Sequence, residues 1–206
     1  MAELPDSSAD SNSHSRLSDR RRTFLDLTRP VPAGPSDDGA LGTAVHSWVQ
    51  HRYEAAGWVD SVETDPFADD AAPQRGPFDP EALRDLQAHF LRSRWAGIRP
   101  IDVELALEYP LGGVRIPCKL DAVFEVPGGY EVVDWKTGRP PADARELQDR
   151  QYQLALYRLA YARYRGVAPD KITARFFYVA ADLEVAPEHL SGQKELRSAW
   201  ASVDSA

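Results

Sequence analysis

The sequence predicts an α/β domain with an α+β mixed sheet, ordered helix, three-strand meander, helix and strand, with an extra helix inserted before the strands. Three features predict it. Apolar residues recur at helical spacing across 41–56 and 79–91. The period drops to two between Val103 and Trp135. A long helical segment then leads into a last apolar run, Ile172 to Val179. With 206 residues and 43% apolar content the chain can bury one good core, so one domain is expected.

Residues 1–38 are rich in Ser, Asp, Pro and Arg without sustained periodicity and read as a disordered leader or linker, leaving 39–206 as the domain. From Leu41 to Ala56, Leu41, Val45 and Trp48 form one helical stripe and Gly42, His46, Val49 and Tyr53 its neighbour; Gly57 ends the helix. Asp60 to Pro77 is acidic and turn-rich, a loop. Asp79-Pro80 opens the inserted helix, whose buried side is Leu83, Leu86, Phe90 and Leu91. Val103, Leu105 and Leu107 alternate with polar or small residues, and Val114 to Val126 and Tyr130 to Trp135 complete the meander. A helix from about Ala144 to Arg165, stopped by Gly166, makes a crossover, so the strand at Ile172 should run parallel to the one holding Asp134.

Composition narrows the chemistry. The lone Cys118 excludes, within this chain, a disulfide framework and four-cysteine zinc or iron–sulfur sites, and suits a reduced, cytoplasmic setting. No apolar run approaches the roughly 20 residues that span a bilayer, and the N-terminus lacks a secretion pattern, so a soluble protein without a membrane partner is expected. The net charge of −8 counts against a protein that coats DNA. Between Glu131 and Arg175, however, nine basic residues face six acidic ones, a locally basic segment.

That segment adjoins a hairpin, Cys118 to Pro141. Closed by a Gly128-Gly129 loop, it places Asp121 opposite Lys136 and Val123 opposite Asp134, so two carboxylates and an ammonium share one face. Leu120, Ala122, Phe124, Val133 and Trp135 form the apolar opposite face. Two carboxylates withdrawn from water are unfavourable unless a cation offsets them, and oxygen ligands at this density suit Mg²⁺ or Mn²⁺. Taken alone, Asp-x-Lys reads as an ordinary cross-strand ion pair on a surface hairpin.

The hairpin resembles motifs II and III of the PD-(D/E)XK nucleases in their RecB branch, where G-x-x-D precedes D-(Y/W)-K-T-G. Gly42 to Val49 (GTAVHSWV) is similar to that branch's G-x-x-x-H helix, Gln153 to Tyr157 (QLALY) to its Q-x-x-x-Y helix, and Glu104 to the acidic residue of its first core strand. From the residues alone, His46 fits a surface or satisfied core histidine as well, Gln153 and Tyr157 fit a stabilising pair one turn apart, and Glu104 fits a solvent-facing strand residue. Cys118 stands where the family has glycine, and its side chain would narrow the approach of a DNA backbone.

The resemblance implies a restriction-endonuclease-like core that hydrolyses DNA with Mg²⁺ or Mn²⁺. It makes His46, Asp121, Asp134 and the Trp135 carbonyl the metal ligands, and Asp121, Asp134, Lys136 and Glu104 the catalytic set. Gln153, Tyr157, Thr137 and Arg139 then contact substrate, with Tyr157 and Trp135 available for stacking. Its implied partners are single-stranded or duplex DNA ends and, by likeness to nuclease modules of actinobacterial UvrD-type and AdnAB-like helicases, a helicase motor in repair or recombination. No G-x-x-x-x-G-K-(S/T) loop occurs here, so such a motor would lie elsewhere. A catalytically weak or inactive DNA-binding scaffold of a helicase–nuclease complex is the alternative.

Overall fold

The computed structural model describes residues 37–59 and 78–204, so the expected leader and the expected Asp60–Pro77 loop lie almost wholly outside it. Helix α1 (Asp37–Ala55) is followed by α2 (Pro80–Arg92), where the Asp79 side chain accepts from the Glu81 N–H and proline occupies the first turn. Leu83, Leu86 and Phe90 bury from α2 as expected, whereas Leu91 is 47% exposed and belongs to the solvent face.

Strands β1 (Asp102–Leu111), β2 (Val114–Val126) and β3 (Gly129–Lys136) form the meander, and α3 (Ala144–Arg165) crosses to β4 (Ile172–Tyr178), parallel to β3. Gly166, at φ 68°, caps α3 in the left-handed region. Two elements outside the expected order finish the fold: β5 (Leu183–Val185) at the sheet edge, and α4 (Gln193–Asp204), which buries Leu196 and Trp200 one turn apart. The order β1-β2-β3-β4-β5 is a five-stranded mixed sheet.

The β2–β3 register differs from the expected one. Val126 pairs with Gly129 and Ala122 with Val133, so the loop is Pro127-Gly128. Proline presets the first turn position and Gly128 takes the second at φ 85°. Gly129 is held in the strand because a Cβ there would fall 1.8 Å from the Lys171 carbonyl oxygen. Moving a two-residue loop by one position shifts partners by two. Continued past Ala122, this register sets Asp121 beside Asp134 rather than Lys136, and Ala122, Phe124, Val133 and Trp135 keep their expected face.

Both faces of the sheet are covered. Ala122, Phe124, Val133 and Trp135 pack under α1 and α2 with Val45, Tyr53, Phe90 and Trp95. Val123 and Val132 pack under α3, so the face expected to be reactive is apolar over most of its length. Leu120 departs from expectation by burying under α3 with Ile116 and Cys118 rather than beside Ala122. β1 switches in step: Val103 joins the α1–α2 side, whereas Tyr109 and Leu111 join the α3 side. The switch falls at Glu104, a non-glycine residue at φ 51°. A left-handed residue breaks the two-residue alternation without changing the register, which is Val103 with Ala122 before it and Leu105 with Leu120 after it.

Candidate active site

The site lies where the sheet splits. The β2–β3 ladder ends at Ala122–Val133, after which β2 continues along β1 and β3 continues along β4 as far as Lys136–Tyr178. At the split, Asp121 replaces a strand neighbour: its Oδ2 accepts the Trp135 N–H at 2.7 Å. That leaves Oδ1 facing His46 Nδ1 at 3.3 Å.

His46 reaches the split from α1, which comes close because residue 42 is glycine; a Cβ there would sit 3.3 Å from Thr137 Oγ1. The imidazole is bound on both sides. Nδ1 lies 3.3 Å from Asp121 and 3.5 Å from Glu104 Oε1, and Nε2 donates to the Trp135 carbonyl at 3.2 Å. Two donating nitrogens define an imidazolium. Burial would push His46 down, but the Asp121 charge and hydrogen bond, with Glu104 behind them, hold it well above its usual value. Glu104 is fixed from the other side by Lys119, whose Nζ is 2.5 Å from Oε2.

His46, Glu104 and Asp121 thus offer ligand atoms all within 4.8 Å of one another. Their chemistry fits a divalent cation: two hard carboxylates and an imidazole, with the Trp135 carbonyl alongside, held together here by a proton on His46. Asp134, expected among the ligands, stands outside this cluster. Glu104, assigned only to the catalytic set, stands inside it. Lys119 was not foreseen, and its only sequence signal is its position two residues before Asp121.

Asp134 belongs to a second network. Its Oδ1 accepts from Gln153 Nε2 at 3.1 Å, and Lys136 Nζ lies 2.7 Å from Oδ2 as an ion pair without hydrogen-bond alignment, so Oδ2 accepts no hydrogen bond. Gln153 Oε1 accepts from Lys136 at 3.1 Å, and Nε2 also meets Tyr157 Oη at 2.8 Å. An ammonium only donates and a carboxylate only accepts, so these neighbours fix which way the amide points. Burial raises the Asp134 carboxyl and Asp121 adds to it, against Lys136. Lys136 is pushed down by burial but held up more strongly by Asp134 and Asp121, and stays an ammonium.

Several expected substrate contacts are placed differently. Tyr157 is fully buried and Trp135 is 1% exposed, packed against Phe90, Trp95, Phe124 and Phe177, so neither ring offers a face for stacking. Gln153 is buried against Asp134 and Lys136. Arg139 is at the surface, paired with Glu146 at 3.0 Å. Cys118 does not narrow any approach: its thiol points into the α3 core, near the Ile116 carbonyl, and burial pushes it up to about 12.

The family model of the PD-(D/E)XK nuclease superfamily matches residues 19–204. The chain is 38% identical over 77 residues to the "Gene 69 protein" of Mycobacterium phage D29, a match that spans 37% of this chain and 26% of that protein's length. A solved structure from Eubacterium rectale, named "Putative exonuclease", aligns over 98% of this chain and 84% of its own, with TM-score 0.47 and 14% identity. Among the described residues no helix is long and apolar enough to cross a membrane.

Proposed function

Because this chain belongs to the PD-(D/E)XK nuclease superfamily, whose members use divalent metals, we propose that it is a Mg²⁺- or Mn²⁺-dependent DNA nuclease of the RecB type. The observation that carries this reading is the convergence of His46, Glu104 and Asp121 at the split of the sheet, beside Asp134 and Lys136. His46, Glu104, Asp121 and the Trp135 carbonyl would hold the ion, joined by the Asp134 oxygen that accepts no hydrogen bond. When bound, the ion supplies Lewis acidity and makes hydroxide available at neutral pH.

The chain's own groups do the rest. Lys136, an ammonium, is a donor to the scissile phosphate or the attacking water and not a general base. Gln153 bridges Lys136 and Asp134 and sets the ammonium's direction. Tyr157 holds the Gln153 amide from below, so the pair positions catalytic groups rather than stacking on bases. Thr137 lies at the contact between α1 and the end of β3, where a phosphate would be exposed to it. Single-stranded ends are the proposed substrate, with repair or recombination the setting and a helicase motor on a further domain or chain as partner.

The test is cleavage of end-labelled single-stranded DNA by the purified chain in Mn²⁺ or Mg²⁺, with EDTA and an Asp121→Asn protein as controls. Metal-dependent product formation absent from both controls is the expected result. Equal product from wild type and Asp121→Asn would assign the activity to a contaminant and sink the reading.

A further inference from the structure

One group of charges next to the site is not used by the chemistry above. After Lys136 the chain turns through Thr137-Gly138-Arg139-Pro140 before α3 begins, and there one carboxylate serves two guanidiniums. Glu146 Oε2 accepts from Arg139 Nη1 at 3.0 Å and from the Ala142 N–H at 2.7 Å, and Oε1 accepts from Arg150 Nη2 at 2.5 Å. Arg150 Nη1 also donates to Tyr178 Oη at 2.6 Å and to the Arg139 carbonyl at 3.3 Å. Arg150 is therefore fixed in direction, with 29% of its side chain open, and Arg139 is 68% open.

Two placements put this pair on the approach to Lys136. Tyr178, which Arg150 touches, is the cross-strand partner of Lys136, and paired residues project to the same side. Arg150 also precedes Gln153, which touches Lys136, by one turn on the same face of α3. Among the described residues Arg139 uses only Nη1, for Glu146 and the Pro140 carbonyl, leaving its Nε and Nη2 edge without a partner. That edge is the planar fork that matches a phosphate in two hydrogen bonds. Glu146 carries one charge against two guanidiniums, and Arg139 keeps its remaining edge on a side chain that is largely exposed.

The geometry points to a binding site for a DNA backbone phosphodiester adjacent to the one cut, formed by Arg139 and Arg150 and set in place by Glu146. It rests on the nuclease reading for the identity of the polymer. Glu146 both orders the two arginines and competes with the incoming phosphate, so removing its charge should strengthen binding, whereas removing either arginine should weaken it.

The experiment measures fluorescence anisotropy of a labelled oligothymidylate with the full chain in EDTA, where nothing is cut, across a range of NaCl. Arg139→Gln should raise the Kd several-fold and flatten the plot of log Kd against log salt by about 0.7, the loss of one phosphate contact on a single strand. Arg150→Gln should do the same. If circular dichroism shows that it does not fold, Arg150→Lys takes its place, with a raised Kd and an unchanged slope. Glu146→Gln keeps an oxygen for the Ala142 N–H and should lower the Kd. Unchanged Kd and slope in Arg139→Gln, or a raised Kd in Glu146→Gln, would overturn the proposal. Cleavage of the same strand in Mn²⁺ is read in parallel. No wild-type cleavage with the binding effects intact removes the nuclease reading and supports the phosphate site. Cleavage with unaltered binding leaves the nuclease reading standing and removes the site.

Discussion

The two halves of the candidate site handle charge in opposite ways. On the β1–β2 side, Glu104 and Asp121 face each other across His46, and a proton on that imidazole, with Lys119 outside, holds them together. On the β3–α3 side, Asp134, Lys136, Gln153 and Tyr157 close on one another in the interior, with only one Asp134 oxygen outside the hydrogen-bond network. In the first half the two carboxylates are joined through one titratable imidazole proton, which a cation could replace; in the second the offset is a lysine ammonium backed by amide hydrogen bonds. Changes in the first should therefore act on ion binding and activity while sparing the fold, and changes in the second should act on both.

The largest effect is expected at Lys136. Lys136→Ala removes a phosphate-side donor, which typically lowers the rate by about 10² to 10³. It also leaves Asp134, 1% exposed, without its partner, a loss of about 3 to 5 kcal/mol when a buried pair is broken. Urea unfolding and single-turnover cleavage should both change; a fully active or fully stable variant would show that the second half is not closed as described.

Asp121→Asn should separate the two properties. Its side-chain oxygen can still accept the Trp135 N–H, so the melting temperature should stay close to wild type, while cleavage falls by a comparable factor of about 10² to 10³. Mn²⁺ gives a readout independent of catalysis. At 100 times its Kd it should stabilise the wild type by about 2.7 kcal/mol, and much less in this variant. Equal stabilisation of the two proteins would place the ion elsewhere.

Gln153→Leu tests the bridge between the halves. Its loss leaves buried donors and acceptors unmet and should destabilise by about 1 to 3 kcal/mol, with kcat falling and KM unchanged because Gln153 is buried away from substrate. A rise in KM alone would return Gln153 to substrate contact.

The smallest effect concerns Glu146. The Ala142 N–H first, and Arg139 next, hold its carboxyl down at about 2 from an ordinary value of 4.5. A depressed carboxyl contributes above its unfolded value and loses that contribution as pH falls through the folded one. Amide exchange at Ala142 should therefore stay protected at pH 4.5 and accelerate, beyond the intrinsic acid trend, as pH approaches 2. Exchange that is already fast at pH 6 would mean the loop is not tied by Glu146.

What could be read from the residues, and what could not, divides along the same line as the two halves. Alternation in β3 determined that Asp134 and Lys136 share a side. This survived a misplaced turn, because moving a two-residue loop by one position shifts partners by two and never changes the face. The Asp79-Pro80 start of α2, the Gly166 stop of α3 and the parallel β4 were legible for the same kind of reason: capping residues and crossover handedness are local or general rules. Only the tertiary structure decided that Glu104 joins His46 and Asp121, that Asp134 turns to Gln153, and that Leu120 and Ala122 bury under different helices. The first and the third fall where a glutamate at φ 51° interrupts the alternation, and that conformation has no signature in its own residue type. Such a conformation is imposed by contacts with Lys119 on the next strand and His46 on a distant helix, and a strained backbone persists only where surroundings from far along the chain hold it.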